Sequence, residues 1–310
     1  MPSFSHTITD ILPAGGIRLD RYIAENLGLL SRSQIKAREL KAAINGKEVK
    51  ISRVVKNGDT LELVWKEAEP LNIIPENIPL DIIHEDDRSV VINKAQGMVV
   101  HPGAGNRRGT LANALYYRRL ERNGLADTGG LRPGIVHRLD KETSGVIIAA
   151  YDDEALAFLA GQFKSRSVRK TYIAIVNGIP KEKKGRIETF IARDPKDRKR
   201  FTIAARGRLA LTYYSVIKTW RTHSLVLLRP KTGRTHQLRV HLRYLGHPIT
   251  GDPLYGIADA LFPQASLMLH AKSLAIILPG EDTKRVFKAP LPERFTAMIR
   301  GLNGLEKQHD

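Results

Sequence analysis

Apolar residues recur along the first 66 positions with two different periods. From Ile17 to Leu30, the residues Leu19, Ile23, Leu27 and Leu30 return to one side every turn, which predicts an amphipathic helix. Ser31 or Ser33 offers an N-cap for a second short helix from Gln34. The period then changes. Asn45-Gly46 supplies the positive-φ pair of a tight hairpin, so strands should flank it. A second turn at Asn57-Gly58-Asp59 precedes Thr60 to Trp65, where Leu61, Leu63 and Trp65 alternate as in a half-buried strand. These elements predict a small α+β unit over residues 15–66, preceded by a polar leader.

Residues 67–80 carry three prolines and few periodic apolar positions, which predicts a linker. Beyond it lie short apolar runs separated by turns: DIIHEDDRSVVINKA, GIVHRLDKETSGVIIAA, RKTYIAIVNG and HSLVLLRP, with a helix from Thr110 to Leu120 among them. That alternation predicts a second α+β domain over 81–300, built on a mixed, largely antiparallel sheet flanked by helices and loops, and then a polar tail at 301–310. The chain has no internal repeat and no apolar run of 18 residues, and its start lacks a basic segment followed by an apolar one. With no cysteine, disulfides and thiolate zinc sites are excluded. The expectation is a cytoplasmic protein without membrane contact.

Charge narrows the partner. Fifty Lys and Arg against 32 Asp and Glu leave a formal +18 in 310 residues, which favours a polyanion. Between Lys164 and Arg208 stand 15 Lys or Arg and four acids, so one stretch holds most of the excess and suits contact with backbone phosphates.

The chemistry-bearing candidate is the polar segment from Gly134 to Gly145, bracketed by the apolar runs IV and VIIAA. Asp140 sits there among His137, Arg138 and Lys141, cations that favour its ionised form as nucleophile or base. Spacing alone favours a structural salt bridge for such an aspartate. Other motifs fail. Gly103, Gly105 and Gly109 are misspaced for a dinucleotide loop. The ten histidines lack the paired spacing of a metal site, and Asp152-Asp153-Glu154 reads as the acidic start of a helix.

Two stretches resemble known families. RLDRYIAENL, SRSQIK, INGKEV and NGDTLEL, over residues 17–65, resemble the RNA-binding domain named after ribosomal protein S-four. That resemblance, with Arg18, Arg21, Arg32, Lys36, Arg38 and Lys41 crowding the helices, implies phosphate contact. HRLDKETSG resembles the signature loop of RNA pseudouridine synthases of the ribosomal large-subunit type. RKTY at 169–172, TGRTHQLRVH at 232–241, GHPITGDPLYG at 246–256, LMLHAKSLAI and FKAPLP follow in that family's order, so the resemblance covers about residues 80–300.

It implies isomerisation of uridine to pseudouridine in structured RNA, most of all large-subunit ribosomal RNA, with no cofactor and no metal. Asp140 is then the nucleophile, and Tyr172 the aromatic against the flipped base. Arg234 is the cation paired with the carboxylate, with Arg239 as the alternative. Arg138 enters the RNA helix where the base departed; Arg169, Lys170 and Arg239 contact RNA; Leu278 helps line the base pocket. His137 reads as a hydrogen-bonded structural histidine. Rival readings are a transfer-RNA target, a non-catalytic ribosome assembly factor, and a hydrolase releasing uracil, which would need a second carboxylate to activate water.

Overall fold

A computed structural model describes residues 1–30, 32–66, 73–103, 105–123 and 134–307. The chain divides into two compact units, Met1–Asn72 and Ile73–Asp310.

The first unit contains β1 (Ser3–Thr7), β2 (Ile17–Arg18), α1 (Leu19–Glu25), α2 (Arg32–Ala37), β3 (Lys41–Ile44), β4 (Lys47–Val49), β5 (Val54–Val55) and β6 (Thr60–Val64). An antiparallel sheet runs in the order β1-β6-β3-β4, and β2 pairs separately with β5. The hairpin forms where Asn45-Gly46 places it. Both residues have positive φ (51° and 75°), and the Asn45 side chain ties the turn to β6 by accepting from Thr60 N–H at 2.8 Å. Leu19, Tyr22, Ile23, Ile35, Leu61 and Leu63 form the core.

Three expectations are corrected here. The helix from Ile17 is shorter than its apolar face, because Gly28 turns left-handed (φ 60°) and the Leu29 N–H returns to the Ile23 carbonyl. Leu30 still reaches the core, but from beyond the helix. α2 starts at Arg32, so Ser33 lies inside it; Ser31 falls outside the described residues. The supposed leader is strand β1, paired with β6 from Ser3↔Val64 to Thr7↔Thr60, so this unit begins well before residue 15. Phe4, His6 and Ile8 alternate toward the core, a period masked by the polar residues between them.

The second unit contains β7 (Ile82–Glu85), β8 (Ser89–Lys94), α3 (Leu111–Asn123), β9 (Ser144–Ala150), α4 (Asp153–Lys164), β10 (Arg169–Asn177), β11 (Lys184–Arg193), β12 (Phe201–Ile203), β13 (Arg208–Thr219), β14 (His223–Pro230), α5 (Gln237–Tyr244), β15 (Leu269–Ile277), β16 (Lys284–Lys288) and α6 (Glu293–Lys307). The strands form one sheet in the order β12-β11-β13-β14-β10-β15-β9-β8-β7, with β16 added beside β15. It is antiparallel except between β15 and β9, where His270 pairs with Ser144 and Ala271 with Gly145. The fold class is therefore α+β with a largely antiparallel sheet.

β9 is buried on both faces, which explains its unbroken VIIAA run. Val146 and Ile148 pack with Ala155 and Leu159 of α4, while Ile147 and Ala149 pack with Leu111 and Leu115 of α3. Asp152 caps α4 by accepting from Ala155 N–H at 2.7 Å, which accounts for the acidic trio.

The linker and tail also need correction. Ile73 is buried and the Ile74 carbonyl accepts from Asn113, so residues 73–80 start the second unit; residues 67–72 lie outside the described residues. The 301–310 tail is helical through Lys307, because Leu302 continues the apolar face that Phe295 and Met298 bury; residues 308–310 lie outside the described residues. Among the described residues no helix is long and apolar enough to cross a membrane.

Candidate active site

A cavity of about 510 Å³ opens where the loop before β9, the start of β10, the end of β14 and the start of α5 converge. Asp140 stands on its wall and is the one acidic residue among the described residues lining it. Arg138, Lys164, Arg166, Lys170, Lys231, Arg234 and Arg239 supply the surrounding positive charge.

The loop is held from both sides of the carboxylate. Leu139 is buried in the α3-side core, and a turn follows in which the Thr143 N–H donates to the Asp140 carbonyl at 3.1 Å. Beneath that turn Lys94, 1% exposed, donates to the carbonyls of Ala95 (2.8 Å), Met98 (2.8 Å) and Lys141 (3.1 Å). Gln96 adds a bond to the Glu142 carbonyl, and the Gly97 N–H one to the Lys141 carbonyl. Burial pushes the Lys94 ammonium down to about 8, against the pull of Glu142 and Asp140. Gly145 closes the loop: at φ 111° it lies so near Ala271 that a Cβ would fall 2.2 Å from that residue's carbonyl oxygen.

The cation facing Asp140 is Arg239, and this corrects the preference for Arg234. An Arg239 guanidinium nitrogen lies 3.7 Å from the Asp140 carboxylate. The same guanidinium is fixed from behind by Asp252, through Nε to Oδ2 at 2.7 Å and a terminal nitrogen to Oδ1 at 2.6 Å. Asp252 is itself held by the N–H groups of Leu254 and Tyr255. Burial opposes both charges, yet their mutual bonds prevail: Asp252 stays below its ordinary range and Arg239 above its own. Arg234 precedes the helix at the cavity mouth and spends its Nε on the Leu209 carbonyl at 3.0 Å.

Gln237 explains why the chain reverses between those two arginines. Its buried amide oxygen accepts from the Thr232 hydroxyl (2.7 Å) and the Arg234 N–H (3.0 Å), while its nitrogen donates to the Leu211 carbonyl and the Thr212 hydroxyl. Next to it His236 adopts the left-handed conformation (φ 55°) with its Nδ1 2.8 Å from the Tyr255 hydroxyl, so α5 starts by aiming residue 239 inward.

Tyr172 lines the cavity from β10 and packs with Ala271. Burial first, and the Asp140 charge second, push its phenol above the ordinary value, so it stays protonated at neutral pH. Lys170 is held down by burial and donates to the Thr232 carbonyl at 3.4 Å. His137 is neutral: burial lowers it to about 3, its Nε2 accepts from the Ile148 N–H, and its ring stacks on Phe163 at 4.5 Å. Arg138 is exposed at the rim, and Arg169 is exposed at the start of β10. Leu278 does not line the cavity. It sits in the core beside α4, and Leu139, Leu238 and Leu269 are the leucines of the apolar wall, with Phe163, Val168 and Pro230 beside them.

In the first unit Arg18 and Arg32 both bond to Asp20, at 3.0 and 2.9 Å, and Arg21 pairs with Glu25 at 2.7 Å. Lys36 is exposed, and Arg38 is half-buried. No three His, Asp or Glu among the described residues form a metal-ligand cluster.

Sequence reasoning missed Lys94, Asp252 and Gln237. Asp252 stood in a segment already singled out, GDPLYG, whereas Lys94 reads as an ordinary strand end.

The family profile described as RNA pseudouridylate synthase matches residues 88–244. A protein of Borreliella burgdorferi named ribosomal large subunit pseudouridine synthase D is 42% identical over 290 residues, spanning 91% of this chain and 89% of the relative. A Zymomonas mobilis protein of the same name is 36% identical, spanning 97% and 98%. Among solved structures, human RNA pseudouridylate synthase domain containing 4 superposes with a TM-score of 0.59 at 28% identity, covering 72% of this chain and 93% of its own.

Proposed function

This chain belongs to the RNA pseudouridylate synthase family and is an RNA pseudouridine synthase, and from that premise we propose that Asp140 is its nucleophile and large-subunit ribosomal RNA its substrate. The observation that carries the first part is the isolation of one carboxylate in a cationic cavity, with Arg239 at 3.7 Å and Tyr172 on the same wall. Such a site attracts the RNA backbone and presents a single reactive oxyanion to the extruded base.

The reaction breaks the bond between uracil N1 and ribose C1′ and forms one from C5 to C1′. N1 gains a proton and C5 loses one, so the overall change is an isomerisation. In this reading an Asp140 oxygen attacks C1′ as the N1–C1′ bond breaks, and the turned uracil then attacks C1′ through C5 as the Asp140–C1′ bond breaks; Arg239 stabilises the carboxylate charge before attack and after release, and Tyr172 offers a ring to the base that has lost its stacking neighbours. A hydrolase reading has no support in the lining, because Asp252 is committed to Arg239 and is absent from the cavity wall.

The names of the bacterial relatives support the ribosomal target, and the basic surfaces suit a large folded RNA. The S-four-like reading of the first unit fits the same substrate, with Lys36, Arg38 and Lys41 as its phosphate contacts. Pseudouridine mapping on large-subunit RNA from cells with and without the protein tests the target. Loss of one or a few sites there is the expected result; loss confined to transfer RNA overturns it.

A further inference from the structure

A second, larger cavity of about 990 Å³ adjoins the first, and Arg166, Lys170 and Lys231 line both. Eight Lys or Arg and no acid border it among the described residues. At its centre three residues stand side by side on neighbouring strands: Arg186 of β11 pairs with Tyr213 of β13, which pairs with Arg229 of β14. Directly paired residues place their Cβ atoms on one sheet face at separations of roughly 5 Å, so the Tyr213 side chain leaves the sheet between those of two arginines.

This face is uncovered. Tyr213 is 39% exposed, and its hydroxyl has no hydrogen-bond partner among the described residues. Four residues along the same two strands Phe190 and Leu209, also paired, are 45% and 38% exposed. Arg229 makes no ion pair among the described residues, and Arg186 has one loose contact, 3.4 Å to Glu188, with both side chains open to water. An aromatic side chain left in water in a row with two arginines is an unexplained cost on an ordinary sheet surface. It is the arrangement that receives an unpaired nucleotide, whose base stacks on the ring while its phosphates meet the cations. A duplex would use the cations and leave the ring idle.

We propose that the Arg186–Tyr213–Arg229 row is a second RNA subsite, stacking one unpaired nucleotide on Tyr213 while the arginines hold the flanking phosphates. This rests on reading the adjoining cavity as the place that takes the target uridine. Since the two cavities meet around the start of β10 and the end of β14, the strand leaving the target runs onto this face. The substrate therefore has an unpaired nucleotide close to the modified one, as in a loop or bulge.

The test measures binding of the full-length protein to a single-stranded decauridylate and to a duplex RNA of equal length. Tyr213→Ala should weaken decauridylate binding roughly ten-fold or more without changing its salt dependence. Tyr213→Phe should bind as the unchanged protein does. Arg186→Gln and Arg229→Gln should each lower the slope of log affinity against log salt by about 0.7. Wild-type decauridylate affinity retained by Tyr213→Ala overturns the subsite, as does an equal loss on the duplex, or a loss in Tyr213→Phe matching that of Tyr213→Ala. Pseudouridine formation by the unchanged protein is followed in parallel. If it persists while the Tyr213 effect is absent, only the subsite fails; if it is absent, the reading of the main cavity fails.

Discussion

Arg239 approaches Asp140 to 3.7 Å while its own side chain is 3% exposed, so the charge facing the carboxylate cannot swing away into water. A mobile surface arginine would lose ordering entropy at each turnover; this one is immobilised in advance by Asp252.

That dependence makes Asp252 a positioning residue. Asp252→Asn should leave the buried Arg239 with the more distant Asp140 carboxylate, at 3.7 Å, as its counter-charge and destabilise the fold by about 3 kcal/mol. Because Asp252 is held below its ordinary value, its contribution is full above the unfolded value near 4 and fades as pH falls through the folded one. Urea unfolding at pH 7 and pH 3 checks both statements. A loss under 1 kcal/mol at pH 7, or one as large at pH 3, would contradict them.

Lys94 has the same direction of pH dependence for a different reason, because here burial disfavours the charged form. Its folded value near 8 lies below the ordinary lysine value near 10.4, so between the two the unfolded chain binds the proton more tightly. Its contribution to stability should then rise with pH across that window, by about 1.4 kcal/mol per unit at most. The unfolding free energy of the unchanged protein minus that of Lys94→Met, followed from pH 7.5 to 10, should increase. A constant difference would remove the buried cation from beneath the Asp140 turn.

Tyr172 separates into ring and hydroxyl. Tyr172→Phe should keep RNA affinity and lower kcat if the phenol takes part in proton transfer, whereas Tyr172→Leu should also raise KM through lost base placement. Equal, mild effects from both would leave the residue a packing partner of Ala271.

Much of this site is written in short runs of sequence. HRLDKETSG points to the loop and its aspartate through its resemblance to a family signature, and Asn45-Gly46 marks its hairpin because a tight turn depends on residues close in the chain. What escaped depends on partners far apart. Lys94 acts on a carbonyl 47 residues away, and Asp252 on an arginine 13 residues back across the end of α5. The choice between Arg234 and Arg239 turned on the left-handed His236, a conformation that residue type does not announce. β1 escaped because its strand period is carried by Phe4, His6 and Ile8 among polar residues, with a partner strand nearly 60 positions later in β6.

For the first unit, ion pairing lowers the phosphate contacts to be expected from its arginines. Arg18 and Arg32 share Asp20, so removing residues 1–72 should reduce the salt slope of RNA binding by the share of Lys36, Arg38 and Lys41, about 2–3 in total. Affinity and slope unchanged by the deletion would reassign the unit to protein contacts.

The central claim is that Asp140 attacks. Asp140→Asn retains volume and the Thr143 turn but lacks the oxyanion, so it should bind RNA within a few-fold of the unchanged protein and form no detectable pseudouridine at saturating enzyme. The measurement is single-turnover conversion on a target-containing RNA, with binding measured on the same preparation. Bound RNA with no conversion is the predicted result; conversion within ten-fold of the unchanged protein would contradict the assignment.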